Sequence, residues 1–277
     1  MEERERSPQQ LLLTTTDPHL GKKRVKIQHI STLKDNYVWV IINEANHAII
    51  IDPGEAVPVI TFLRQHQLQL TAILITHHHW DHTNGIAEIV REFPAPVYGP
   101  AHENIPEMTH AVSEKTPIHI PHFPDITALE IPGHTSGHLA YDIQGNLFCG
   151  DTLFAAGCGR LFEGSPEQMA ASLQKIMSLP DNTKIYCAHE YTQNNLRFAQ
   201  TVEPNNKAIA ERIKHVAEMR KQNLPSLPST LKEEKETNPF LRCDAPEVKA
   251  SVEKHAGHAL NNKIAVFAVL RKWKDEF

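Results

Sequence analysis

Residues 73–85 read ILITHHHWDHTNG: an apolar run that stops at Thr76 and gives way to four histidines and an aspartate. The run has the length and bounds of a buried strand. A strand interior has no use for so much imidazole and carboxylate. The polar half must therefore lie at the strand's end, as a wet loop or as a metal site. In an extended segment, residues two apart share a side. His77, His79 and Asp81 would then point one way and His78 the other, and a bend at Asp81 would turn His82 inward too. Imidazole with carboxylate suits zinc, and also iron or manganese. A solvated His-rich loop is the bland alternative. Donors at this spacing, directly after a hydrophobic strand, favour metal.

Working outward, VKIQHI and YVWVIINEANHAIIIDPG look like successive strands, with a hairpin turn at 43–46. Helices fit 58–66 and 86–93. Downstream, APVYGP and HIPHFPDITALEIPGHT bring back strand-length segments, and HLAYDIQGNLFCGDTLF reads as two strands about a turn at 144–146. Residues 165–179 carry Met169, Leu173, Ile176 and Met177 at helical spacing behind a Ser-Pro start. KIYCAHE is a strand running into a polar end. After Glu203 the chain turns helical and highly charged: NNKAIAERIKHVAEMRKQN, a break at LPSLPST, then helical stretches at 231–236, 246–255 and 260–275. The organisation expected is a mobile tail (1–24), an α/β body (25–199) and a helical domain (200–277).

The 277 residues suffice for a substantial core, and 40% of them are hydrophobic. A net charge of -5, from 28 basic and 33 acidic side chains, gives no general attraction to nucleic acid or to an anionic membrane. No stretch is long and apolar enough to span a bilayer. Cys149, Cys158, Cys187 and Cys243 are too scattered for a disulfide scaffold, which points to a reducing compartment and a cytoplasmic location. Leu11–Leu13 is too short for a secretory core, and early glutamates argue against a mitochondrial address. No obligate protein partner is expected.

Further donors stand at other strand ends: His134 in IPGHTSGH, Asp151 in FCGDTLF and His189 in YCAHEYT. Each alone is usually a turn residue. With His77, His79, Asp81 and His82 they make seven candidates, five His and two Asp. One site cannot use seven, whereas two adjacent metals can if a carboxylate bridges them, with room for a bridging hydroxide.

The set HxHxDH, PGHTSGH, GDTLF and AHEYT resembles the metallo-β-lactamase superfamily. With LFAAGCGRLFEG, HEYTQNNLRFA, NPFLR and LRKWKDEF, the chain from about Val25 to Phe277 more closely resembles the glyoxalase II (hydroxyacylglutathione hydrolase) family. The resemblance implies an αββα sandwich with a C-terminal helical domain. It implies His77, His79 and His134 on a first metal, Asp81, His82 and His189 on a second, and Asp151 bridging. Family substrate contacts map to Arg160, Phe162, Tyr191, Arg271 and Lys274; Arg160 stands where many relatives have Lys, and Phe162 where some have Tyr. The cofactor implied is two divalent cations, zinc first. The reaction implied is hydrolysis of S-(2-hydroxyacyl)glutathione thioesters, S-D-lactoylglutathione foremost, by a metal-bridged hydroxide with no protein nucleophile. Two divalent cations against two carboxylates and a hydroxide leave a positive centre for an anionic transition state. A thiol of pKa near 8.5 leaves without a strong general acid. A persulfide dioxygenase, a metallo-nuclease and a purely structural metal module are the competing classes. The GCGR stretch, the acidic balance and the scatter of ligands over four segments argue against them in turn.

Overall fold

The computed structural model describes residues 24–114 and 116–277, so the expected tail lies outside the described residues except for Arg24. Strands β1 (Val25–Thr32), β2 (Asn36–Asn43) and β3 (His47–Ile51) run antiparallel. The turn expected at 43–46 joins β2 to β3. There Asn43 Oδ1 accepts from the backbone N–H groups of Ala45 and His47, and Asn46 takes a φ of 62°. Helix α1 (Ala56–Gln65) crosses to β4 (Gln69–Leu74), parallel to β3. One helical turn, α2 (Trp80–Thr83), and then α3 (Ile86–Glu92) lead to the parallel strands β5 (Val97–Pro100) and β6 (His110–Val112). The six strands lie side by side in chain order.

A second sheet begins with β7 (Thr127–Glu130), β8 (Leu139–Ile143) and β9 (Asn146–Gly150), antiparallel, with the expected turn between the last two. A small hairpin, β10 (Leu153–Phe154) and β11 (Gly157–Cys158), follows. Helix α4 (Pro166–Met177), started by a Ser165–Gln168 capping box, crosses to β12 (Lys184–Cys187), parallel to β9. The C-terminal part comprises α5 (Thr192–Val202), α6 (Lys207–Lys221), β13 (Ser229–Thr230), α7 (Leu231–Thr237), α8 (Pro246–Ala256) and α9 (Lys263–Glu276). The second sheet runs β13-β12-β9-β8-β7. The helical part thus lends the sandwich a strand, Ser229 pairing with Ile185 and Thr230 with Lys184.

β2 shows why the sheets stack. Tyr37, Trp39 and Ile41 face the second sheet, in one cluster with Leu139, Tyr141, Phe148 and Ile185. Val38, Val40 and Ile42 face the other way, against Val59, Ile60 and Leu63 of α1 and Ile86 and Ile89 of α3. A strand buried on both faces reads as a continuous apolar run. Each such Ile or Leu contributes roughly 1.5–3 kcal/mol by leaving water. Met169, Leu173 and Ile176 of α4 cover the outer face of the second sheet. The architecture is the expected αββα sandwich with C-terminal helices.

The helical part is fastened by a buried ion pair. Arg212 Nη2 of α6 donates to Glu234 Oε1 of α7 at 2.6 Å. Glu234 Oε2 accepts the backbone N–H of Ala156, in the β10–β11 turn, at 2.8 Å.

Candidate metal centre

The chemistry gathers where strands of both sheets end. Asp52 follows β3, His77 to His82 follow β4, His134 follows β7, Asp151 follows β9 and His189 follows β12. The expected extended run through Asp81 is corrected here. Only His77 to His79 are non-helical, and Asp81 and His82 arrive on α2. The His82 N–H to His79 O bond (3.0 Å) and the Thr83 Oγ1 to His79 O bond (3.0 Å) close that turn. A helical turn therefore brings His82 inward, in place of a bend within extended chain. His78 points away from its neighbours, towards Glu103 and Glu163, as expected.

Among the described residues three donor groups converge; one, Asp52 with His77 and His82, is wholly buried, and the other two reach the cleft. His77, His79 and His134 form one, with Nε2, Nδ1 and Nε2 converging: His79 Nδ1 lies 3.1 Å from His77 Nε2 and 3.0 Å from His134 Nε2. Asp81, His82 and His189 form the other, with Asp81 Oδ2 3.5 Å from Nε2 of both histidines. Asp151 stands between. Its Oδ2 is 3.5 Å from His134 Nε2, and its Oδ1 is 3.5 Å from His82 Nε2 and 3.3 Å from His189 Nε2. Ligands about 2.0–2.1 Å from one tetrahedral zinc lie about 3.3 Å apart, which these spacings approach. His82 Nε2 and Asp151 Oδ1 are buried without a hydrogen-bond partner. Orphaned buried polar atoms of that kind are expensive unless something is bound. The donor set and geometry fit two metal ions, and the chain carries a binuclear metal-binding site.

The outer partners fix which nitrogen faces inward. The Arg160 carbonyl accepts from His134 Nδ1 at 2.8 Å. Asp52 Oδ2 lies 3.1 Å from His82 Nδ1, and Asp35 Oδ1 lies 2.9 Å from His189 Nδ1. The Thr76 hydroxyl donates to Asp52 Oδ2 (2.7 Å) and sits 3.0 Å from His77 Nδ1. In these four histidines Nδ1 is thereby engaged, which leaves Nε2 for a cation, whereas His79 turns its Nδ1 inward. Asn36 Nδ2 donates to Asp81 Oδ2 at 3.0 Å. Asp35, Asn36 and Asp52 carry no motif in the sequence that marks them for this site. His138, the second histidine of PGHTSGH, joins it unexpected: it stacks on His77 (4.6 Å between centroids) and accepts the Asp151 N–H (3.2 Å). Gly150 holds a φ of 47°, and a side chain there would strike Thr76 Oγ1 and the His138 ring.

Electrostatics separate the clusters. Burial, then neighbouring imidazoles, push His77 and His79 below the ordinary histidine range. Burial also lowers His134. All three are therefore neutral at pH 7. Burial opposes charge on His189 as well, but Asp151 and Asp35 outweigh it and push that imidazole up to about 9. His82 is raised in the same way by Asp151, Asp52 and Asp81. Burial would raise the Asp81 carboxyl, yet His82 and Asn36 hold it well below the carboxylate range. The second cluster thus calls for positive charge.

The centre opens into a cleft of about 610 Å³ walled by Trp80, Phe162, Tyr191 and residues of α9. Phe162 is 62% exposed, and its ring stands edge-on to His79 and His134. Tyr191 stacks on His189, with centroids 4.7 Å apart. Arg160 reaches Asp275 at 3.4 Å. Arg271 and Lys274 both line the cleft but differ in setting. Arg271 is buried, its Nη1 donating to the Cys158 carbonyl (2.6 Å) and its Nη2 to Asp275 (3.1 Å). Lys274 Nζ lies over Phe198 and Phe277, 5.2 Å from each centroid. Burial and the charges of Arg271, Arg197 and Arg160 bring its pKa down to about 8. A larger hollow, about 800 Å³, lies among α5, α6 and α8. Histidine is absent from its lining, and its Glu203 is already paired with Arg242 at 2.9 Å.

Comparison with known proteins agrees with this geometry. Residues 190–277 match the family described as "Hydroxyacylglutathione hydrolase C-terminus". Residues 32–131 and 122–189 match "Metallo-beta-lactamase superfamily". The chain is 50% identical over 254 residues to a hydroxyacylglutathione hydrolase of Nitrosomonas europaea, covering 91% of this chain and 97% of that one. It is 53% identical over 249 residues to that of Nitrosomonas eutropha, covering 90% and 97%. Among solved structures it is similar to ETHE1 from Myxococcus xanthus (TM-score 0.62, 21% identity, 90% of this chain and 98% of that one). It is also similar to the BLEG-1 B3 metallo-beta-lactamase (TM-score 0.60, 24% identity, 78% and 99%). At those identities the structural likeness is one of fold.

Proposed function

We propose that this chain, which belongs to the hydroxyacylglutathione hydrolase family of the metallo-beta-lactamase superfamily and hydrolyses S-(2-hydroxyacyl)glutathione thioesters, takes S-D-lactoylglutathione as its substrate and works with two zinc ions. His77, His79 and His134 would hold the first ion and Asp81, His82 and His189 the second, with Asp151 shared. When bound, such a pair supplies Lewis-acid chemistry and lowers the pKa of water to about 7. Nitrogen and oxygen donors without thiolate suit zinc, and elemental analysis distinguishes it from iron or manganese.

The remaining work belongs to the chain. Tripeptide carboxylates are drawn to Lys274 and Arg160 at the mouth of the cleft, with Arg271 buried behind them adding charge and Asp275, paired to both arginines, offsetting part of it. Phe162 and Tyr191 flank the entry against His79 and His189 and offer the thioester apolar surface beside the centre. The leaving thiol departs as thiolate without a protein acid. Cysteine takes no part: Cys149 and Cys187 are buried, and burial pushes Cys187 up to about 12. The four free, buried thiols also support the cytoplasmic reading, which cell fractionation tests. No helix of the described residues is long and apolar enough to cross a membrane. The domains proposed are a sandwich that runs through β12 and a substrate-binding helical part that starts with α5, since the boundary expected at 199/200 falls inside that helix.

The observation that carries this reading is Asp151 poised between two ligand clusters at the floor of a cleft with a cationic mouth. The test is a panel of S-D-lactoylglutathione, a neutral short-chain thioester and a phosphodiester, given to metal-quantified protein. Preferred loss of the glutathione thioester supports the reading. Phosphodiester cleavage with thioesters untouched contradicts it.

A further inference from the structure

We propose that Glu103 is the positioning residue of the His77–His79–His134 cluster, its buried carboxylate clasping together the two loops that supply all three ligands. The inference rests on the two-cation reading above. Glu103 lies in the loop between β5 and β6, with its side chain 2% exposed. Its Oε2 accepts the backbone N–H of His78 at 2.6 Å and lies 2.9 Å from His78 Nδ1. Its Oε1 accepts the Thr135 hydroxyl and, at 3.0 Å, the Gly137 N–H. One oxygen therefore holds the segment between His77 and His79, and the other holds the segment that follows His134. The approach is close, for a side chain at Gly137 would meet Glu103 Cγ at 2.6 Å.

Glu163 repeats the device at the outer edge. Its Oε2 accepts the Ser136 N–H at 2.8 Å, and its Oε1 sits 3.2 Å from His78 Nε2. His78 is thereby the rivet between two carboxylates. The other cluster is held elsewhere, by Asn36 on Asp81, Asp52 on His82 and Asp35 on His189. An apolar side chain of similar volume would fill the space of Glu103 without desolvating a charge. Only an acceptor with two oxygens fixes the angle between the loops, and with it the convergence of three imidazoles. Outer-shell partners of this kind are typically worth 10–100-fold in metal affinity.

The experiment is zinc titration of metal-free full-length protein by calorimetry, with two reference variants. His189→Ala leaves the first cluster as the remaining site, and His134→Ala leaves the second. Glu103→Ala should weaken the remaining ion about 10–100-fold in the His189→Ala background. In the His134→Ala background it should change affinity by no more than about twofold. Equal weakening in both backgrounds, or none in either, overturns the proposal. Where Glu103→Ala fails to fold, Thr135→Val removes one donor at nearly constant shape and should show a smaller loss with the same asymmetry; symmetry overturns the proposal there too. Wild-type protein that never takes two ions sinks the two-cation reading as well. Two ions in the wild type with unselective variants sink the clasp alone.

Discussion

Lys274 is the cation on which recognition of substrate charge should depend most. Its ammonium makes no ion pair among the described residues and rests over Phe198 and Phe277. A hydrogen bond to a buried charged group is worth about 1.5–3 kcal/mol, and an exposed pair about 0.2–1. Lys274 is half-buried, so a pairing of about 1–2 kcal/mol is expected, a roughly 5- to 30-fold rise in KM for Lys274→Ala. The change in kcat should be smaller, because this contact is made alike in ground and transition states. With its pKa lowered to about 8, the side chain is charged below that pH and neutral above it. The ratio of wild-type to variant kcat/KM, which reports the free enzyme, should therefore fall towards one as pH rises through about 8. Titration of the substrate itself cancels in that ratio. Steady-state kinetics on a glutathione thioester and a neutral short-chain thioester supply the data, after folding and metal content are checked. A ratio of one at all pH values, or the same loss on both substrates, would refute the reasoning. Arg271 is a poor second target, since its bond to the Cys158 carbonyl docks α9 and its removal would move a helix as well as a charge.

Asp52→Ala should weaken both metal ions by about 10–100-fold, because Asp52 holds His82 directly and His77 through Thr76, whereas Asp35→Ala should weaken only the ion at His189. Competition with a chelator reads both, and identical profiles for the two variants would count against the assignment. Glu234→Ala leaves the buried Arg212 only the more exposed Glu233 carboxylate, 3.3 Å away, and strips the Ala156 N–H of its acceptor; it should cost about 3 kcal/mol, the low end for breaking a buried pair, seen as a lower urea midpoint, and a loss under about 1 kcal/mol would show that the pair does not fasten the helices. Native protein should consume iodoacetamide slowly at Cys149 and Cys187, and Cys149→Ser should keep hydrolysis; an acyl-cysteine trapped in turnover would overturn the metal-centred account.

The sandwich was legible because its inner strands are apolar on both faces and bounded by turn residues, as β2 and the Asn43 turn show, whereas β6, three residues long, carries no pattern of its own. The seven ligand candidates were legible because donors crowd the polar ends of apolar runs. α2 was not, since a single turn between His79 and Asn84 is too short for any period to register. β13 is shorter still, and only its pairing with β12 makes it a strand. Asp35, Asp52 and Glu103 act across long stretches of chain, through contacts that local patterns do not encode. Asp52 did leave a trace, as the first polar residue after β3, where it sits at a φ of 54°. Helical spacing put Arg271 and Lys274 on neighbouring positions. It did not reveal that Cys158 and Asp275 engage one while aromatic rings cradle the other.

We propose a binuclear centre, held by these seven residues, that supports hydrolysis of a glutathione thioester. Its most direct test is a titration of metal-free protein with zinc, following bound metal and S-D-lactoylglutathione hydrolysis in the same samples. Activity that reaches its full value only as occupancy approaches two ions per chain, and that Asp151→Ala abolishes together with metal retention, is the predicted result. Full activity at one ion per chain, or an Asp151→Ala protein that keeps both ions and its rate, would contradict it.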